Sequence, residues 1–125
     1  MRDFAIHMTH RPGELERITD ALARSNVNLK SVSALAIDNK AMLRLIPDDV
    51  ERAREALRES NIHFEESEVV SVLLENQAGE LAAVAHIMAY AGLNLQAAYV
   101  VGLEDDLIEL AIVVDNVKKA KKVLE

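Results

Sequence analysis

Residues 3–8 alternate, placing Phe4, Ile6 and Met8 on one side, and this period of two predicts a strand with one face in a core. Pro12-Gly13 ends that strand, the proline suiting a first helical position and the glycine a sharp turn. Leu15, Ile18 and Leu22 then recur at helical spacing and leave Glu16, Arg17 and Asp20 to solvent, which predicts a helix running to residues 25–26. Residues 27–37 and 41–46 are rich in β-branched and apolar side chains around an Asp38-Asn39-Lys40 turn signal, the mark of a hairpin. Pro47-Asp48-Asp49 breaks the second strand, with Asp48 as the predicted cap of a helix that buries Val50, Ala53 and Leu57. That helix ends near Asn61, and residues 62–66 are expected to return as a fourth strand.

The whole pattern then repeats. Pro12-Gly13-Glu14-Leu15 is echoed 66 positions later by Ala78-Gly79-Glu80-Leu81, and Val27-Asn28-Leu29 by Leu93-Asn94-Leu95. From Asp48, Val50, Ala53 and Leu57 to Asp115, Val117, Ala120 and Leu124 the offset is 67, so one residue is inserted in the second copy, expected in the turn near Asp105. Agreement of turns, apolar spacing and element order over so many positions is the signature of an internal duplication. Each copy reads strand, helix, strand, strand, helix, strand. This predicts an α+β chain of two ferredoxin-like βαββαβ repeats, each an antiparallel sheet with helices on one face. The predicted domains are 1–66 and 67–125, the second stopping after its second helix without a fourth strand and so leaving a sheet edge that needs cover. No linker separates them, and residues 107–114 are apolar almost throughout, as in a strand covered on both faces.

Composition removes several classes of function. A formal charge of -7 disfavours nucleic acid and anionic membranes as partners. Phe4, Phe64, Tyr90 and Tyr99 are the only aromatic rings, too few for an RNA-stacking sheet. The absence of Cys removes disulfides and thiolate chemistry, and no apolar run opens the chain, so a cytoplasmic protein is expected. His7, His10, His63 and His86 form no metal-ligand spacing. There is no phosphate loop or nucleophile elbow, so neither a cofactor nor catalysis is expected.

A ferredoxin-like repeat whose first strand ends at Gly-Glu-Leu, and whose second opens with Val-Asn-Leu or Leu-Asn-Leu, resembles the ACT domain family. The tandem layout is similar to stand-alone ACT pairs with no attached enzyme. The resemblance implies a small regulatory protein that binds a free amino acid at an interface between modules. The loop after the first strand and the start of the second would touch it. Carried over by position, the implied ligand-binding residues are His10, Arg11, Gly13, Glu14 and Asn28 in copy one, and Asn76, Gln77, Gly79, Glu80 and Asn94 in copy two. Asn76 keeps an Asn that the serine-responsive branch places three residues before the Gly, whereas His10 replaces it. That branch also has a His two residues earlier, where this chain has Met8 and Leu74. A helix start exposes N–H groups and a dipole that favour a carboxylate, and Asn can both donate and accept, which suits an amino acid. The missing fourth strand of copy two predicts a second copy as partner, forming a homodimer, and a regulated enzyme is the other expected partner. The alternative reading is a ligand-free dimerisation or interaction module. In it each Gly only permits a turn, each Glu complements a helix start, and each Asn closes the helix-to-strand junction.

Overall fold

The two duplicated patterns fold as the alternation dictates. In the computed structural model, which describes residues 1–125, the order is β1 (Arg2–Thr9), α1 (Glu14–Arg24), β2 (Leu29–Ile37), β3 (Lys40–Pro47), α2 (Val50–Glu59) and β4 (Glu65–Glu68). There follow β5 (Val70–Glu75), α3 (Glu80–Tyr90), β6 (Leu95–Glu104), β7 (Leu107–Val114) and α4 (Val117–Leu124). The chain divides into two units, Arg2–Ser67 and Glu68–Glu125, with Met1 joining the latter through its carbonyl, which accepts from Val69 N–H at 3.2 Å.

In the first unit the sheet order is β2-β3-β1-β4, with β3 antiparallel to β1 and β2. Phe4, Ile6, Leu43 and Leu45 turn one face of the sheet toward Ile18, Leu22, Ala53 and Leu57 of α1 and α2, giving one contiguous core. The second unit has three strands, β5-β7-β6, and a matching core of Val70, Val72, Ile112 and Val114 under Val84, Met88 and Ala120. β7 is buried at every position from Leu110 to Val114, as its unbroken apolar run predicts.

Three helices end in the same way. Asn26, Asn61 and Gly92 take positive φ (56°, 56° and 71°) just beyond α1, α2 and α3. The next residue's N–H, from Val27, Ile62 or Leu93, then donates to the carbonyl of Leu22, Leu57 or Met88. Each of these pairs is also an apolar contact in a core, so the chain leaves each helix at a fixed angle.

Three local expectations change. Residues 62–64 are not strand: Ile62 closes the end of α2 and Phe64 turns its ring onto Phe4, 5.2 Å between centroids, so pairing begins only at Glu65. The cap of α2 is Asp49, which accepts from Arg52 N–H at 3.0 Å, because Asp48 is engaged elsewhere. The inserted residue is not in the turn. Both hairpins close on two residues, Asp38-Asn39 and Asp105-Asp106, with positive φ at the first of each. The extra position is instead a bulge at Val101, between the paired Val100 and Gly102, where β2 pairs without interruption.

Candidate ligand-binding loops

The loops 10–13 and 76–79 are built alike. Arg11 N–H donates to the Thr9 carbonyl at 2.9 Å, and Gln77 N–H to that of Glu75 at 2.8 Å, tightening the chain as it leaves each strand. Gly13 and Gly79 follow at φ 90° and 93°, a conformation L side chains rarely adopt, and a Cβ on either would meet nothing within 4 Å. Both glycines stand at helix starts and bring no side chain to cap them, whereas α2 and α4 are capped by the Asp49 and Asn116 carboxylate and amide oxygens. Glu80 N–H turns to the Gln77 carbonyl at 3.4 Å, and no side chain caps the first turn of α1 or α3.

The two glutamates face the other way. The Glu14 side chain is buried, takes a hydrogen bond from Arg17 Nε at 3.0 Å and lies 3.8 Å from Arg11 Nε. Its carboxyl is held below the usual range, chiefly by the Arg17 hydrogen bond, and it also accepts from Thr9 N–H. Glu80 Oε1 accepts from Glu75 N–H at 3.1 Å, the same strand-end position. Each glutamate therefore clamps its loop back onto the strand it came from. In copy two the arginines give way to Gln77 and Ala83, so only the first loop carries cations.

Asn28 and Asn94 belong to a second duplicated motif. Asn28 N–H donates to Asp48 Oδ1 at 3.0 Å while its carbonyl accepts from Asp48 N–H at 2.9 Å. Asn94 N–H likewise donates to Asp115 Oδ1, its Nδ2 donates to Asp115 Oδ2, both at 3.1 Å, and its carbonyl accepts from Asp115 N–H. These N–H donors, the Asn94 backbone first, hold the Asp115 carboxyl below its usual range. The motif locks the start of β2 or β6 to the end of β3 or β7.

Register shows what is not brought together. Thr9 pairs with Lys40 at one end of β3, whereas Leu29 pairs with Pro47 at the other. Seven residues at about 3.3 Å each put the glycine loop and Asn28 at opposite ends of the sheet, ~23 Å apart along the strands. The same holds for Gly79 and Asn94, since Glu75 pairs with Leu107 and Leu95 with Val114. Neither unit alone assembles its five predicted residues into one pocket.

Sequence reasoning passed over a recess of about 550 Å³ on the helix-free face of the first sheet, lined by His7, Leu35, Ile37 and Met42 with the 38–41 turn. The signal was present: strand alternation that sends Ile6 and Leu43 inward sends His7 and Met42 outward. No group of three or more His, Asp or Glu side chains is arranged to hold a metal. No helix is long and apolar enough to cross a membrane.

With two split βαβ units, paired glycine bends and paired Asn–Asp junctions established, comparison with known families is decisive: the model of the ACT domain pair matches residues 1–125. The chain belongs to the ACT domain pair family. Among solved structures, the ACT pair is similar to protein BT0572 from Bacteroides thetaiotaomicron, at 24% identity and a TM-score of 0.87, covering 98% of this chain and 85% of that one. It is similar to the regulatory subunit of aspartate kinase from Thermus thermophilus in a ligand-free form, at 16% identity and a TM-score of 0.67, covering 98% and 88%. E. coli aspartokinase III in complex with lysine and aspartate matches at 17% identity and a TM-score of 0.57, covering 98% of the ACT pair and 29% of that chain. At these identities the likenesses concern the fold. No curated protein matches the ACT pair in sequence.

Proposed function

We propose that the ACT pair is a non-catalytic, cytoplasmic regulatory protein that binds a free amino acid where modules of two copies of the chain meet. The observation that carries this reading is the asymmetry of helix capping. The helices that follow the glycine bends are the two left without a side-chain cap, and the space beside each glycine is open. An α-carboxylate fits that vacancy, since the N–H groups and the helix dipole both favour an anion.

The ~23 Å between loop and Asn within each sheet supports a composite site. β2 and β6 are edge strands, and a two-fold axis that runs two such edges antiparallel brings the glycine loop of one module to the Asn of its neighbour. Apolar side chains exposed along those strands, Val32, Leu95 and Val100 among them, fit such pairing. In this arrangement His10, Arg11, Gly13 and Glu14 would face Asn28 across the junction, and Asn76, Gln77, Gly79 and Glu80 would face Asn94. Glu14 and Glu80 shape the loop, and the others contact the ligand. The same exposed edges favour a second reading, a dimerisation module that regulates a partner enzyme without a ligand.

A thermal-shift screen with the common amino acids separates the two readings. A ligand held at about 100 times its dissociation constant stabilises the folded state by ~2.7 kcal/mol. A selective shift that is lost in Gly79→Val/Asn94→Ala, with a dimeric mass by light scattering, is the expected result. No shift with any amino acid at millimolar concentration favours the ligand-free module. A hit whose affinity survives both substitutions places the site elsewhere.

A further inference from the structure

The duplication provides an internal reference for the outer faces of the helices. At the positions where α1 carries Glu16, Arg17, Asp20 and Arg24, α3 carries Ala82, Ala83, His86 and Tyr90. α1 is thus an ordinary solvated helix, and α3 is apolar nearly all round. Leu81 and Ile87 are exposed on it, and Tyr90 is 91% exposed with its ring 6.4 Å from that of His86. A core helix exposed on this scale marks an interaction surface.

The neighbouring helix has changed in a matching way. Where α2 has Glu51, Arg52 and Glu55, α4 has Lys118, Lys119 and Lys122, none of them in an ion pair, while Lys121 is taken by Glu68. Between the helices runs a groove of about 480 Å³ lined by His86, Ile87, Tyr90, Ala91, Lys119 and Val123. Its walls are apolar and its α4 rim is cationic, in a chain whose formal charge is -7.

We propose that the α3–α4 groove docks an amphipathic helix of a partner protein whose polar flank is acidic. A groove between two helices is the receiving shape for a third, which lays its apolar stripe on the floor and sets carboxylates against the lysine rim. A second copy is a poor occupant. The outer faces of α1 and α2 carry charges rather than an apolar stripe, and symmetric pairing of two α3–α4 faces sets lysines against lysines. The inference goes beyond amino-acid binding and does not depend on it.

Fluorescence anisotropy with the full chain tests this. The probe is a labelled helical peptide of about 18 residues with a Leu/Ala stripe and Glu flanks, set against its Lys-flanked counterpart and against phosphatidylglycerol vesicles. The acidic peptide should bind about ten-fold more tightly than the basic one and weaken as salt rises to about 0.3 M. Binding should fall about ten-fold in Lys119→Glu/Lys122→Glu and in Ala82→Glu/His86→Asp. The latter pair copies residues that α1 already tolerates, and circular dichroism confirms that each variant is folded. Failure of the acidic peptide to bind, equal binding of both peptides, or affinities that ignore these substitutions overturn the proposal. So does binding to vesicles alone, or a drop from dimer to monomer in Ala82→Glu/His86→Asp, which would give the face to a membrane or to a second copy.

Discussion

Glu66 offers a quantitative test of what holds the short edge strand in the first unit. Its carboxylate takes hydrogen bonds from Arg54 Nε at 2.6 Å, from Arg54 Nη2 at 2.8 Å and from Arg2 Nε at 2.8 Å, joining α2, β1 and β4. Hydrogen bonds to charged groups contribute about 1.5–3 kcal/mol each when buried, and exposed ion pairs about 0–1. Glu66 is 16% exposed and its arginines 29% and 38%, which puts each ion pair near the upper end of the exposed range. Glu66→Gln keeps the shape, removes the charge and leaves two guanidinium groups facing an amide, a loss of ~2 kcal/mol at pH 7. For a unit of this size the urea dependence is about 1 kcal/mol per molar, so the midpoint should fall by about 2 M.

The pH dependence supplies the control. Hydrogen bonding by Arg54 holds the Glu66 carboxyl below its usual range; burial opposes it, and the Arg2 hydrogen bond adds to the lowering. A depressed carboxyl contributes stability that is complete above its unfolded value, near pH ~4.3, and is lost as pH falls through the folded value. Urea melts of wild type and Glu66→Gln should therefore differ most at pH 7 and converge in acid. A midpoint shift below about 0.3 M at pH 7, or an equal gap at pH 7 and pH ~2.5, refutes the reasoning.

Three further outcomes follow from the backbone and the Asn–Asp junction. Gly79→Ala should cost about 1–2 kcal/mol in chemical denaturation although its methyl meets nothing, whereas Gly102→Ala, at an ordinary φ with Glu109 Oε1 at 3.9 Å, should be neutral or slightly stabilising. Deleting Val101 should leave the second unit folded within about 1 kcal/mol, because β2 pairs without that bulge, whereas deleting Asp106 from a two-residue turn should disrupt the hairpin as seen by NMR. The hydrogen-exchange protection of the Asn94 amide, measured against its intrinsic rate at each pH, should hold at neutral pH and fall as pH drops through the depressed value of Asp115, whose carboxylate accepts that N–H.

What the sequence revealed and what it concealed divide along a physical line. Element order and core were legible because burial imposes periods of two and 3.6 on the apolar positions, and the duplication stated each twice. The Val101 bulge was hidden because a run of apolar residues, Tyr99-Val100-Val101, satisfies alternation equally well with one residue paired or looped out. Asp48 and Asp49 are both good caps by residue type, and only the three-dimensional return of β3 past Asn28 assigns one to the junction and the other to the helix. The candidate site was legible as residues but not as a place. Gly13 and Asn28 are fifteen positions apart in the chain, which suggests neighbours. A helix of eleven residues carries the chain back down the sheet between them, so that proximity in sequence becomes separation in space. The two halves of such a site can meet only across a boundary between modules, and the proposed meeting of modules from two copies ties the ligand to association. Dilution that dissociates the proposed dimer should abolish the proposed amino-acid binding even though every fold-level contact of each unit survives.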